Sequence, residues 1–139
     1  VFYWIGPARS WAWTITATAI TAVPLPPAPQ VEALVAAHQA AIQQDLADPL
    51  AATDTPGDRL FAAVLQPVLP RLRPGAPVVV VPDGALHRIN FETLPVPSPT
   101  RHYWIDDVVL QMAPSLAMLQ RAPAAPRAPA ALLLVGNPV

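Results

Sequence analysis

The sequence predicts an α/β fold, a layered structure with a mainly parallel sheet. Val78–Val81 and Leu132–Val135 are uninterrupted apolar runs, closed by the turn signals Pro-Asp-Gly and Gly-Asn-Pro. Such runs are typical of strands covered on both faces, as in parallel sheets beneath helices. Helical periodicity over residues 30–72 supplies a second layer. Strand-like alternation within residues 1–18 predicts an antiparallel hairpin ahead of it.

The hairpin pattern consists of two short runs. Val1–Ile5 is aromatic and β-branched and ends at a Gly-Pro turn, and Trp11–Thr18 alternates large and small residues with the period of a half-buried strand. Val23–Pro29 follows and contains four prolines. We expect this segment to be a connector, because proline cannot donate a hydrogen bond within a central strand.

The next part of the chain changes to helical spacing. Apolar residues recur on one face between Gln30 and Leu46, and His38 lies on that face. After a turn-rich linker, Asp58 is expected to cap a second helix by accepting from its free amide groups. Pro67 and Pro70 should bend or break that helix, since each lacks an amide hydrogen and clashes with the preceding turn.

Residues 78–139 are expected to form the start of the α/β core. Val108–Met112 is a third strand candidate after the two apolar runs, and Ser115 is placed to cap a short helix that ends at Arg121. Arg121–Pro129 is an alanine–proline linker. Because the chain begins at Val1 rather than methionine and stops directly after a strand-like run, we expect the sheet to be completed outside these residues.

Composition excludes several functional classes. The 53% hydrophobic content is too high for a charge-driven disordered tail, and twenty prolines among 139 residues oppose long helices and coiled coils. The net charge is −1 and every basic residue is arginine, so neither nucleic acid nor an anionic membrane surface is an expected partner. Ser10–Val31 is uncharged but is interrupted by threonines and prolines. We therefore expect no membrane span and a cytoplasmic location.

The histidines are the only side chains that exchange protons near neutral pH. His38 is expected to be packed against the apolar helix face. His87 has carboxylates four residues before and five after it, but loop-like spacing does not align them as metal ligands. His102 lies near Asp106 and Asp107, which is compatible either with a general base and an orienting carboxylate or with a solvated loop, and we favour the loop.

Candidate nucleophiles are few, and the sequence contains no recognisable cofactor motif. There is no cysteine, which excludes disulfides, thiolate metal sites and a cysteine nucleophile within this chain. Ser115 is explained by helix capping, and neither a Gly-x-Ser-x-Gly elbow nor a glycine-rich phosphate loop occurs. A nucleotide-binding domain would need such a phosphate loop. We accordingly assign no catalytic, cofactor-binding or metal-ligating residue and expect no cofactor.

Residues 79–94, Val-Val-Val-Pro-Asp-Gly-Ala-Leu-His-Arg-Ile-Asn-Phe-Glu-Thr-Leu, resemble the signature of the CHAT domain, the caspase-like domain associated with tetratricopeptide repeats. In that family an apolar strand runs into Pro-Asp-Gly and then into a Leu-Pro-Phe-like segment. Tyr103–Asp107, Ala113–Ser115 and Leu133–Pro138 follow in the family's order. Asn90 is a departure, because the family usually has proline there.

The resemblance implies a fold like that of caspases and separases, and often cysteine peptidase activity. In that chemistry a histidine takes the proton of a cysteine, whose thiolate attacks a peptide carbonyl. The family's histidine lies in a His-Gly motif after a later strand, with the cysteine later still, and neither motif occurs here. The resemblance thus implies the amino-terminal portion of a CHAT domain, which supplies scaffold and is inactive as given.

The alternative is a non-catalytic regulatory or protein-interaction module of the same family. In either case the resemblance implies tetratricopeptide repeats as a partner, in the parent chain or in another protein. The catalytic version would in addition meet a protein substrate.

Overall fold

The computed structural model describes residues 1–44, 50–97 and 99–119. It contains both helices and strands, with antiparallel pairs and one parallel pair, so the predicted α/β class is confirmed. The linker at 121–129 and the strand at 132–135 predicted from the sequence lie outside the described residues. The strands are β1 (Phe2–Ile5), β2 (Ser10–Ile15), β3 (Ile20–Leu25), β4 (Pro77–Val80), β5 (Pro95–Val96), β6 (His102–Tyr103) and β7 (Val109–Met112), and the helices are α1 (Ala28–Gln44), α2 (Pro56–Val64) and α3 (Leu116–Leu119).

The predicted hairpin is the first half of a three-stranded antiparallel sheet of order β1-β2-β3. The strand β3 was not predicted, because the prolines of its segment suggested a connector. Pro24 is tolerated since β3 is an edge strand of this sheet, where a residue without an N–H breaks no ladder between two neighbours. The second strand also ends earlier than expected, at Ile15, because the Thr16 hydroxyl accepts hydrogen bonds from the amides of Thr18 and Ala19 and closes a turn.

The small residues of β2, not its tryptophans, face the protein interior. Ser10, Ala12 and Thr14 are buried, whereas Trp11 and Trp13 are half-buried on the opposite face. The reason is the register with β1, in which Tyr3 lies opposite Ala12. Tyr3 is fully buried and fills the space above the small residues.

The two predicted helices are present, with different boundaries and a different cap. The helix α1 begins at Ala28, two residues before the expected start. Thr55, not Asp58, is the N-cap of α2: the Thr55 hydroxyl accepts from the Asp58 amide at 3.2 Å, and the Asp58 carboxylate accepts from the Thr55 amide at 2.8 Å. This reciprocal pair is a capping box, so Asp58 belongs to the first turn of the helix.

The predicted break in the second helix is confirmed. The helix α2 ends at Val64, and a separate 3₁₀ turn spans Leu69–Arg71. Pro67 lies in the gap and Pro70 in the 3₁₀ turn, where neither has to donate an α-helical hydrogen bond. At its other end, α2 packs tightly against its neighbours, since a Cβ atom on Gly57 would lie 3.3 Å from His38 and 3.1 Å from Pro95.

The tetravaline run forms the centre of the parallel sheet, as predicted. The strand β4 pairs in parallel with β7, with Val78 opposite Leu110. Its other side is joined to β1 by a parallel bridge between Phe2 and Val81. The antiparallel sheet and the parallel pair are therefore connected through β1 and β4.

One hydrophobic core connects the elements. An aromatic cluster lies within it, with ring centroids 5.7 Å apart for Tyr3 and Phe91 and 6.4 Å apart for Phe91 and Trp104. The fully buried aliphatic side chains come from α1, from α2 and the segment that follows it, from β4 and from the turns after β4: Val31, Val35, Leu60, Val64, Leu65, Val68, Val80, Leu86 and Leu94. Within the described ranges, no helix is long and apolar enough to cross a membrane.

Candidate functional site

The carboxyl edge of the parallel sheet is where a functional site is expected. Ligand sites of parallel α/β sheets lie beyond the carboxyl ends of the strands. Here β4 runs into Pro82-Asp83-Gly84 and β7 runs into Ala113–Ser115. Both segments belong to the resemblance to the CHAT domain, and the structure places them at the same edge.

The Pro-Asp-Gly turn has a structural role in this chain. One carboxylate oxygen of Asp83 accepts a hydrogen bond from the backbone amide of Ile5 at 2.7 Å. Gly84 has φ +54°, a left-handed conformation that favours glycine, and a Cβ there would lie 3.6 Å from the Ile5 Cβ. The turn therefore fastens the end of β1 to the end of β4.

The remaining residues of the signature follow the Pro-Asp-Gly turn and pack into the core beside this edge. Two 3₁₀ turns, Gly84–Arg88 and Phe91–Thr93, bury Leu86, Phe91 and Leu94. Asn90, the departure from the family pattern, accepts a hydrogen bond from the amide of Glu92 at 3.1 Å through its side-chain oxygen. The asparagine thus caps the second turn with its side chain, which explains why the local structure does not need a proline there.

The prediction that His38 is packed is confirmed. Its ring is buried, with 7% exposed, between the first turn of α2 and the core. Burial lowers the pKa of His38 below its ordinary value, because the charged form loses its hydration. Its Nε2 atom has no hydrogen-bond partner. This histidine is therefore a neutral core-edge residue.

His87 is the residue for which the sequence raised a metal role. His87 is exposed on the 3₁₀ turn that follows β4. No group of three or more histidine or carboxylate side chains that could hold a metal ion occurs among residues 1–44, 50–97 and 99–119. We find no support for a metal site at this turn.

His102 does have the carboxylate neighbour that the sequence suggested. Its Nε2 atom lies 3.0 Å from a carboxylate oxygen of Asp107, and its Nδ1 atom contacts the carbonyl oxygen of Thr100. The Thr100 carbonyl first, and Asp107 second, raise the pKa of His102 above its ordinary value. Both contacts favour the protonated ring, because its Nδ1 can then donate to the Thr100 carbonyl and its positive charge lies close to the Asp107 carboxylate.

The location of His102 separates it from the Pro-Asp-Gly edge. The residue belongs to β6, shortly before β7 begins, and the carbonyl of Asp107 accepts from the amide of Gly75, just ahead of β4. The pair therefore lies at the amino ends of the parallel strands. His102 thus lies in a short strand and not in the solvated loop expected from the sequence, and its ring contacts Thr100 and Asp107.

The structure contains a largely buried ion pair that was not predicted from the sequence. Arg101 and Asp58 lie 2.8 Å apart, with side chains 15% and 13% exposed. The pair ties the segment before β6 to the capping box of α2. Its members are separated by 43 residues, so no local pattern could have indicated it.

The structure also contains a cavity of about 550 Å³ that was not predicted from the sequence. It lies on the side of β4 next to β1, between the end of β2 and the segment of Arg71 and Arg73. The signal that could have found it is the Arg-Leu-Arg sequence ahead of Pro74-Gly75, two positive charges in a turn that leads into a buried strand.

Comparison with known proteins identifies the family of this chain. The family model of the CHAT domain matches residues 54–139, from two residues ahead of α2 to the last residue. No curated protein and no solved structure matches the chain. The matched residues include the Pro-Asp-Gly turn and both strands of the parallel pair, and they make up more than half of the chain. The protein therefore belongs to the CHAT domain family.

Proposed function

We propose that this chain is scaffold of a caspase-like, peptidase-related CHAT domain and does not cleave peptides by itself. The observation that carries the proposal is the absence of cysteine from its 139 residues. Cysteine peptidases of the caspase kind need a thiolate nucleophile, and no other side chain replaces it in that mechanism. The catalytic histidine and cysteine of a peptidase in this family would have to come from outside this chain.

The described geometry supports the same proposal. The side chain of Asp83 at the carboxyl edge is already bonded to the backbone of β1. The histidine that has a carboxylate neighbour, His102, lies at the opposite edge. A nucleophile and a general base must be within hydrogen-bond reach of each other. The residues at the carboxyl edge instead hold β1, β4 and the 3₁₀ turns together.

The test is a peptidase assay on the purified chain. We expect no hydrolysis of a fluorogenic peptide library above the buffer rate. His87→Ala and His102→Ala serve as matched variants, since they remove the two more exposed histidines. Hydrolysis by the original chain that either variant abolishes would contradict the scaffold proposal and would identify a catalytic site that does not use a thiol.

The second candidate is a non-catalytic regulatory or interaction module, with tetratricopeptide repeats as partner. It is favoured by large apolar side chains that remain exposed on the antiparallel sheet: Trp4, Ile15 and Ile20 are 46%, 48% and 71% exposed. The test is binding of the chain to a tetratricopeptide array, followed by calorimetry. Saturable binding without peptidase activity in any longer form would favour this candidate, and an active longer form would favour the first.

We also propose a reducing, cytoplasmic compartment for the protein. The proposal is supported by a chain that folds without any disulfide, since it has no cysteine. Fractionation of cells that express the tagged protein tests it, and recovery from an oxidising compartment would contradict it.

A further inference from the structure

We propose that the outer face of the antiparallel sheet binds the alanine–proline segment of the same molecule, residues 122–130, as a polyproline II helix. These residues lie outside the described ranges, so their part in the interaction is inferred from their sequence. Three features support the interaction: an aromatic surface on the sheet, a proline repeat with its charge on one side, and a short path between the two. None of them depends on peptidase activity.

Four aromatic side chains occupy neighbouring positions on the outer face of the sheet. In the register of β1 and β2, Phe2 lies opposite Trp13 and Trp4 lies opposite Trp11. The ring centroids of Phe2 and Trp13 are 5.4 Å apart. Trp4 is 46% exposed and the other three are partly exposed, whereas Tyr3 on the core face is fully buried. We call these four residues the aromatic quartet.

No outward-facing residue of the three strands is charged. The strand β3 adds Ala22 beside Trp13 and Pro24 beside Trp11 to the same face. The outward-facing positions of β1, β2 and β3 are therefore all apolar. Proline-rich segments with the spacing Pro-x-x-Pro bind to aromatic surfaces of this kind, because the polyproline II helix is already extended and loses little entropy.

The quartet has the size of a site for one extended segment. A specific interface between two folded proteins uses about 20–30 residues on each side, many more than the outward-facing residues of three short strands. Neighbouring strands are about 5 Å apart, so the quartet on β1 and β2 is about as wide as one peptide chain. A segment placed there leaves β3 uncovered, and Ile20 remains exposed.

The sequence of the segment is a tripeptide repeat. Residues 122–130 read Ala-Pro-Ala, Ala-Pro-Arg and Ala-Pro-Ala. A polyproline II helix has about three residues per turn, so the prolines form one ridge and the alanines that precede them form a second. Those alanines are restricted to extended conformations by the prolines that follow them. The proline ridge consists of Pro123, Pro126 and Pro129.

The arginines of this region lie on the remaining ridge. Arg121 and Arg127 are separated by a multiple of three residues, so they fall on the same side of a polyproline II helix. The proline and alanine ridges can therefore face the aromatic side chains while both guanidinium groups stay in water. This distribution of charge fits a surface that has none.

The end of α3 lies close to the quartet. Leu119, the last residue of α3, and Phe2 line the same cavity of about 550 Å³. Each further residue extends the chain by up to about 3.5 Å, so the residues after Leu119 can reach Phe2 and continue over the quartet. One turn of a polyproline II helix advances about 9 Å. The diagonal between side chains of paired strands is about 7–8 Å, so successive prolines can contact both rows of the quartet.

The experiment compares the indole N–H signals of the ¹⁵N-labelled full chain with those of a variant that combines Pro123→Ala and Pro126→Ala. The signals of Trp4, Trp11 and Trp13 are expected to shift, and acrylamide should quench tryptophan fluorescence more strongly in the variant. Trp104 is fully buried in the core and serves as an internal reference whose signal stays in place.

A second variant separates the proline ridge from the charged ridge. Arg121→Ala combined with Arg127→Ala changes the same number of residues in the same region. Because both arginines are expected to face water, this matched control should leave the indole signals of the quartet unchanged.

A capped peptide of residues 122–130 tests the surface directly. In the proline variant it should shift the three quartet indoles saturably toward their positions in the original chain. The original chain should respond much more weakly, because its own tethered segment has an effective concentration of about millimolar.

Three results would overturn the proposal. The first is a set of quartet indole signals that are the same in the original chain and the proline variant. The second is an equal response of both to the free peptide, which would show that the segment does not occupy the surface. The third is a difference between the two that disappears on dilution, which would assign the segment to a second copy of the chain.

Discussion

Tyr3 joins the first sheet to the second helix at the level of a single side chain. Its hydroxyl donates a hydrogen bond to the carbonyl oxygen of Val64, the last residue of α2, at 3.0 Å. The ring lies 5.7 Å from that of Phe91, in the segment of the family signature. Burial raises the pKa of Tyr3 well above its ordinary value, because the phenolate would lose its hydration. The side chain is therefore a neutral donor at any physiological pH.

Tyr3→Phe is expected to lower the free energy of unfolding by about 1 kcal/mol, since the ring packing stays while the Val64 carbonyl loses its buried partner. The change is measured by urea denaturation, comparing the midpoint and slope of the unfolding curves of Tyr3→Phe and the original chain. Tyr103→Phe is the matched control, because Tyr103 is only half-buried in the short strand β6. Equal stability of Tyr3→Phe and the original chain would show that the hydrogen bond does not contribute.

His102 gives a prediction for pH. Its folded pKa is raised above the ordinary 6.5 by the Thr100 carbonyl and Asp107. The stabilisation is therefore fully present below about pH 6.5 and is lost as pH rises through the folded pKa. We expect His102→Gln to destabilise the protein at about pH 5.5 and to have a smaller effect at about pH 8.5.

The measurement is the difference in unfolding free energy between the original chain and His102→Gln at the two pH values. Asp107→Asn should reduce the pH dependence without removing it, since the Thr100 carbonyl remains. A His102→Gln effect that is the same at both pH values would mean that the ring is not held in its protonated form.

The secondary-structure elements that were predicted correctly from the sequence are those marked by a pattern of a few consecutive residues. The run Val78–Val81 was recognised as a strand because all of its side chains are apolar, and β4 indeed lies between β1 and β7. The break after α2 followed from the chemistry of proline. Both features are decided by a few consecutive residues.

The missed elements depend on their neighbours. The strand β3 contains Pro24, which only its edge position makes acceptable. The bond between Asp83 and Ile5 joins residues 78 positions apart and leaves no trace in either segment. The cap of α2 is different, because Thr55-Pro56-Gly57-Asp58 has the spacing of a capping box and could have been read correctly.

The ion pair between α2 and the segment before β6 gives a prediction at this scale. Burial raises the pKa of the Asp58 carboxyl, but hydrogen bonds from Arg101 and Thr55 outweigh it, and the pKa lies below its ordinary value. Arg101→Met removes one of these partners from a largely buried carboxylate. We expect a loss of about 1.5–3 kcal/mol in the free energy of unfolding.

Arg59→Met is the matched control. Arg59 forms an ion pair of the same length with Asp54, 2.8 Å, but its side chain and that of Asp54 are 59% and 78% exposed. Solvent screens such a pair, so little change in stability is expected. If both variants lost the same stability by chemical denaturation, burial of the Asp58 pair would not be the reason for its contribution.

For the whole molecule, the distribution of apolar surface is uneven. One face of the antiparallel sheet packs on the core through Tyr3 and Ala12, while the other carries Trp4, Ile15 and Ile20 in partly or largely exposed positions. Contiguous apolar patches of this kind are uncommon on stable monomers and usually indicate contact with another surface. In the described part of the chain, the antiparallel sheet is therefore covered by the core on one face and exposed to solvent on the other.

This open face predicts the solution behaviour of the isolated chain. We expect it to bind a hydrophobic fluorescent dye and to self-associate as concentration rises, because water contacts apolar side chains that a partner or further sheet cover would bury. Ile20→Ser on this face should reduce both effects. Ile42→Ser is the matched control, since Ile42 is similarly exposed, 56%, but lies on α1. A monomer that melts cooperatively and binds no dye would show that the open face needs no cover, and it would weaken the interpretation of this chain as scaffold within a larger assembly.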